Sequence, residues 1–172
     1  MLKLRRYQKI FKFKKVLTIM LVVGVAMMQT AQSLAQSAEY TAKKAKALAE
    51  KSVFEKLVDR ELPATVLYED NEILAFIPKR KQAPVHILII PKKRIVSVNE
   101  IKDNEALLIG RMFIVARDLA REYKIDSTGY RLVLNTNEDA GQSVFHLHMH
   151  LIGGKKTGPM TTQDYTDPRV KN

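Results

Sequence analysis

Gly141-Gln142-Ser143-Val144-Phe145-His146-Leu147-His148-Met149-His150-Leu151-Ile152-Gly153-Gly154 is the stretch from which the rest of the chain can be read. Three of the four histidines in the sequence fall here, at alternate positions. Side chains at i, i+2 and i+4 of a strand share a face, with alternate neighbours roughly 7 Å apart, so His146, His148 and His150 line one surface. Phe145, Leu147, Met149 and Leu151 take the other face, the core side. That sets the register, because a slip of one residue would bury three polar rings and expose four apolar ones. A lone histidine more often just satisfies a hydrogen bond, but three in alternation point to chemistry. Imidazole serves as nucleophile, general acid or phosphate donor near neutral pH. Three imidazoles on one face also suit zinc with an open position for water. Spacing alone leaves covalent and metal-assisted catalysis both open.

Working outward, a strand is expected over Ser143 to Leu151, preceded by a polar turn from Thr136 to Gln142 and a strand from Tyr130 to Asn135. Upstream, Leu108, Met112, Val115, Leu119 and Tyr123 step by three or four and predict an amphipathic helix over Asp103 to Tyr123, capped by Asp103 or Asn104. The stripe through Met112 and Val115 suits either the core or an interface. Pro84 to Pro91 carries a strand centred on His-Ile-Leu-Ile-Ile. Thr65 to Glu69 and Glu72 to Phe76 read as a hairpin about an Asp70-Asn71 turn. Residues 39 to 61 are rich in Ala, Lys and Glu, with Val53, Phe54, Leu57 and Val58 at helical spacing, which predicts one helix closing before Pro63. The fold class is α+β, a five-stranded antiparallel sheet with two main helices.

The formal charge of +11 suggests a nucleic-acid partner at first sight. Seven of the charges, however, sit at Lys3, Arg5, Arg6, Lys9, Lys12, Lys14 and Lys15, and no acid precedes Glu39. The remainder carries 22 basic against 18 acidic residues, a net of about +4, an ordinary solubilising charge, and no nucleic-acid partner is expected. The basic block precedes an apolar run from Val16 to Met28 and then Ser33-Leu34-Ala35. This is the pattern of a secretory signal peptide over residues 1–35, predicting a secreted or periplasmic protein. An uncleaved membrane anchor and a mitochondrial presequence are the alternatives. After it, residues 36–51 are expected as a helical lead-in, 52–154 as the globular domain and 155–172 as a polar tail. The absence of cysteine excludes disulfides, thiolate nucleophiles and Cys-ligated zinc.

The stretch 141–154 resembles the signature of the histidine-triad (HIT) superfamily. Its Gly-Gln-Ser lead-in and trailing Gly-Gly are similar to the Hint branch. Further matches are Gln82-Ala83-Pro84-Val85-His86, Ile90-Pro91-Lys92-Lys93 and Gly129-Tyr130-Arg131 leading to Asn135, so the likeness runs from about Val53 to Gly154. It implies a HIT-like fold and a nucleotidyl hydrolase cleaving purine nucleoside phosphoramidates or related nucleotide conjugates. In that reading His148 attacks the α-phosphorus, held in one tautomer by the backbone carbonyl of His146. His150 contacts the phosphate or leaving group, Ser143 bonds near the departing atom, and Asn135 touches phosphate. The amides around Gly141 and Gln142 add donors, and His86 supports the triad. Val53, Phe54, Leu57 and Phe76, which periodicity alone would assign to the core, line the nucleobase pocket. The likeness also implies a homodimer. The alternative is a nucleotide-binding or interaction protein on the same scaffold with little turnover.

Two departures stand out. Pro78 occupies the position of an acidic residue that accepts ribose hydroxyls in relatives, and Lys79, Arg80 and Lys81 follow it. This points to a nucleotide held through base and phosphates, a different phosphate ester or an extended polyanion. Zinc-containing relatives carry a Cys-x-x-Cys and a histidine where this chain has Ser52, Glu55 and Arg94, so no metal and no cofactor is expected.

Overall fold

The computed structural model describes Met28 and residues 37–159. The chain divides into two compact units, 1–49 and 50–172. Met28 apart, the leader expected over 1–35 lies outside the described residues, as does the end of the tail. Within the first unit a helix, α1, runs over 37–48. Among the described residues no helix is long and apolar enough to cross a membrane.

The single helix expected over 39–61 is two. A second helix, α2 (Val53–Val58), starts from its own capping box: the Ser52 side chain accepts from the Glu55 amide while the Glu55 carboxylate accepts from the Ser52 amide. This Ser-x-x-Glu signal was present in the sequence and marks a helix start, but the continuing apolar spacing masked it.

Five strands follow: β1 (Thr65–Glu69), β2 (Ile73–Ile77), β3 (Val85–Pro91), β4 (Tyr130–Val133) and β5 (Met149–Gly153). They form one antiparallel sheet in the order β1-β2-β3-β5-β4. The β1–β2 turn falls one residue later than expected. The Asp70 amide donates to the Ile73 carbonyl, and the Asp70 carboxylate accepts from the amides of Glu72 and Ile73. Asp70 therefore closes the turn and Asn71-Glu72 form its tip, an Asx-type arrangement.

After β3 the chain passes through two short 3₁₀ turns into α3 (Ala106–Glu122). Neither Asp103 nor Asn104 caps it; the Glu105 carboxylate reaches back to the Lys102 amide. The helix returns the chain to β4 at the sheet edge, and β5 then inserts between β4 and β3. Period-two alternation sorts the strands between two cores. Ile73, Ala75, Ile87, Ile89, Met149 and Leu151 pack with Leu108, Met112, Val115 and Leu119 of α3. Leu74, Phe76, Leu88 and Ile90 pack on the opposite face with Phe54 and Leu57 of α2. The Met112–Val115 stripe is thus core, and α3 exposes Leu107, Phe113 and Ile114 instead.

The ladder of β5 begins only at Met149, six residues after the expected start. The segment before it bonds elsewhere: Arg94 Nε donates to the Phe145 carbonyl and the Leu147 amide donates to the Ile95 carbonyl. At the other end of β5, a Cβ on Gly153 would lie 2.6 Å from Ile125 Cδ1. Gly153 therefore serves close packing of the post-α3 loop against the strand.

Candidate active site

Although β5 is short, the alternation holds through the histidines. Leu147, Met149 and Leu151 face the α3 core. His148 and His150 stand on the α2 face, with ring centroids 5.1 Å apart. His150 pairs across the ladder with Leu88.

The hydrogen-bond partners assign each tautomer. His146 is fully buried. Its Nε2 lies 2.8 Å from the Pro91 carbonyl, which only accepts, so Nε2 carries the proton. Its Nδ1 then accepts from the Ser52 hydroxyl at 3.0 Å, and that same hydroxyl takes the Glu55 amide. Both ring nitrogens of His146 are thereby committed inside the protein. With no free ring nitrogen, what His146 offers the site is its carbonyl, the part that the resemblance implies for it.

That carbonyl lies 2.7 Å from His148 Nδ1, which therefore donates and leaves the lone pair of Nε2 unshared. The edge of the Phe54 ring packs on His148 at 5.1 Å between centroids. Burial holds the His148 ring below its ordinary pKa, against the opposing pull of the His146 carbonyl. The result is a neutral imidazole with one free nitrogen.

The same logic runs through His86 and His150. The Gln82 amide donates to His86 Nδ1 at 3.1 Å, so the neutral His86 ring carries its proton on Nε2. That proton points at His150 Nδ1, 2.9 Å away, with the two rings stacked. His150 therefore carries its own proton on Nε2. Burial, together with the neighbouring His148 and His86, pushes its pKa down to about 4, so near neutral pH it is an uncharged N–H donor. Burial also lowers His86.

Other residues singled out in the sequence fall differently. Val53, Phe54, Leu57 and Phe76 do line one cavity of about 230 Å³, with Leu88, Pro78 and Lys79 also on its walls. Ser143 is exposed and Asn135 half-buried. Val133 pairs with His150 where the β4–β5 ladder ends, and Asn135 follows two residues further on. Gln142 is a correction. Its side chain is buried, accepting from the Asn137 amide and donating to the Val96 and Val144 carbonyls, and it thereby ties the loop shut rather than facing a ligand. The turn amides are likewise spent, Gly141 on the Glu138 carbonyl and Gln142 on that of Asn137.

Sequence reasoning passed over the supports. Ser52, Glu55 and Arg94, read only as missing zinc ligands, converge in the fold. Arg94 Nη1 lies 3.3 Å from Glu55 Oε2 and also donates to the Glu50 carbonyl, while its Nε holds Phe145. Glu55 stays below the usual carboxylate range. Burial would raise it, but the hydrogen bonds from Ser52 and the charge of Arg94 outweigh that. An ion pair thus ties α2 to Arg94, which in turn holds the segment carrying His146. Among the described residues, no three His, Asp or Glu side chains are grouped to hold a metal ion.

Fold and site together define the class of protein, and comparison with known proteins agrees. The family model for the HIT domain matches residues 59–157. The purine nucleoside phosphoramidase of Escherichia coli (strain K12) is 44% identical over 113 residues, 66% of this chain and 95% of that protein. A HIT family hydrolase from Legionella pneumophila Philadelphia 1 superposes with a TM-score of 0.62 at 44% identity, covering 63% of this chain and 96% of that one. A histidine triad protein from Clostridium difficile does so with a TM-score of 0.61 at 38% identity, covering 63% and 95%. The chain belongs to the HIT family.

Proposed function

We propose that the chain hydrolyses purine nucleoside phosphoramidates or related nucleotide conjugates through a nucleotidyl intermediate on His148. The observation that carries this is the His148 ring: Nδ1 is held by the His146 carbonyl at 2.7 Å, and Nε2 is free beside an apolar cavity. The base enters the cavity whose walls include Val53, Phe54, Leu57 and Phe76, with the 5′-phosphate towards the histidines. The Nε2 lone pair attacks phosphorus, a bond to phosphorus forms, and the phosphorus–nitrogen bond of the substrate breaks. The departing amine takes a proton from solvent on the exposed Ser143 side, while His150 Nε2–H donates to phosphate oxygen. Water then displaces His148 from phosphorus, losing a proton to solvent; the ring, which has kept its Nδ1 proton, leaves neutral, and the nucleoside monophosphate is released. The relative from E. coli, named for this reaction, supports the substrate class.

Two further parts complete the proposal. A homodimer fits the open edge strand β4 and the exposed Leu107, Phe113 and Ile114 of α3. Export by residues 1–35 is supported by their sequence pattern alone.

Mass spectrometry of the chain, trapped during turnover of a fluorogenic adenosine phosphoramidate, tests the central claim. A nucleotide adduct on His148, absent in His148→Ala, is expected. No adduct and no turnover with adenosine, guanosine or pyrimidine substrates would leave a binding protein on this scaffold.

A further inference from the structure

The loop 78–84 between β2 and β3 touches both halves of the site. At one end Pro78 and Lys79 form a wall of the apolar cavity; further along, the Gln82 amide holds His86. Lys79 is the only charged residue among those lining the cavity, and no lining side chain carries a hydrogen-bond acceptor. A ribose with free 2′ and 3′ hydroxyls brings donors that this wall does not match with side chains, and unmatched donors cost binding when water is displaced.

Arg80 and Lys81 follow, and all three cations are exposed. No ion pair or side-chain hydrogen bond joins Lys79, Arg80 or Lys81 to any described residue. Many other basic residues in this unit are engaged: Lys51, Arg60, Lys92, Lys93, Arg94, Arg111, Arg117 and Arg121 each pair with a carboxylate. Three adjacent unpaired cations repel one another, and an anion set among them relieves that repulsion.

We infer that the Pro78–Lys79 wall, with the exposed Arg80 and Lys81 that follow it, is a subsite for a phosphate on the sugar, so that the preferred ligand is a nucleotide bearing a 2′- or 3′-phosphate besides its 5′-phosphorus. This rests on the nucleotide reading of the cavity above. The base occupies the apolar walls and the 5′-phosphorus meets His148, which leaves the sugar to span the distance along the Pro78–Lys79 side. A sugar phosphate there accepts charge-assisted bonds from the Lys79 ammonium and the Arg80 guanidinium, where a hydroxyl finds no acceptor.

Calorimetric titration of the full chain with adenosine 5′-monophosphate, adenosine 2′,5′-bisphosphate and adenosine 3′,5′-bisphosphate tests this. One bisphosphate is expected to bind at least about tenfold more tightly than the monophosphate, with the margin shrinking as salt screens the cations. In the surface variant K79Q/R80Q/K81Q the margin should fall to within about twofold. Equal binding of all three ligands, or a margin that survives the triple substitution, overturns the subsite. The two proposals fail separately. An adduct on His148 with no bisphosphate preference leaves the hydrolase standing and removes the subsite, whereas a variant-sensitive preference without any adduct does the reverse.

Discussion

The two faces of the sheet receive helices of unequal length. On one, the 17 residues of α3 close over the central strands, and Met112, Ala116, Met149 and Leu151 have no exposure at all. On the other, the six residues of α2 cover Leu74, Phe76, Leu88 and Ile90 with Phe54 and Leu57, leaving a cavity and the edge of the histidine row beside them. The same alternation along β5 therefore feeds a closed core on one side and an open site on the other. A short helix with a strong cap suffices to hold a site wall, and its shortness keeps the site accessible.

Substitutions on the two faces should separate chemistry from stability. His148→Ala should give the largest effect, a fall in turnover of at least about 10³-fold with the melting temperature nearly unchanged, read by steady-state kinetics beside thermal unfolding. On the opposite face Met112→Ala should cost about 2–5 kcal/mol of stability by denaturant titration, while kcat/KM per folded molecule stays as it was. Loss of both properties in either variant would erase the distinction between the faces.

A milder break is His86→Ala. It frees His150 Nδ1 and allows either tautomer, so kcat should fall roughly tenfold to a hundredfold. KM should move little, since His86 does not line the apolar cavity beside Phe54. An unchanged kcat would mean that the tautomer of His150 is held by other means.

The smallest effect concerns pH. His86, His146, His148 and His150 all titrate below the ordinary value near 6.5, chiefly through burial. Between their folded and unfolded pKa values the unfolded chain binds more protons, so the stability that neutral rings contribute is present above about pH 6.5 and declines as pH falls towards the folded values. Turnover should accordingly be flat from pH 7 to pH 6 and fall towards about 4, where His150 gains its charge. An acid limb centred near 6.5 would show rings titrating as though in water.

Much of this was legible in the chain. The His146–His148–His150 alternation, the β1–β2 hairpin and the periodicity of α3 are local patterns, and each appears in the fold close to its expected place. The misplacements have local causes too. The start of α2 was hidden because apolar spacing ran through its cap. The β5 ladder was overextended because extended backbone and hydrogen-bonded strand look alike in sequence, and Arg94 and Ile95, some 50 residues away, claim the segment around Phe145 and Leu147. The amides of Gly141 and Gln142 were read as donors to a ligand because a signature motif does not tell which of its polar groups the loop spends on itself.

By itself the sequence determined which rings share a face and which side chains oppose them, because that follows from the two-residue repeat of extended backbone. Only the tertiary structure decided which nitrogen of each ring is free. His146 is governed by Pro91 and Ser52, 55 and 94 residues away, and His150 by His86, 64 residues away. A tautomer is set by its hydrogen-bond partners, and here the partners meet only when β5 inserts beside β3 and α2 closes over them.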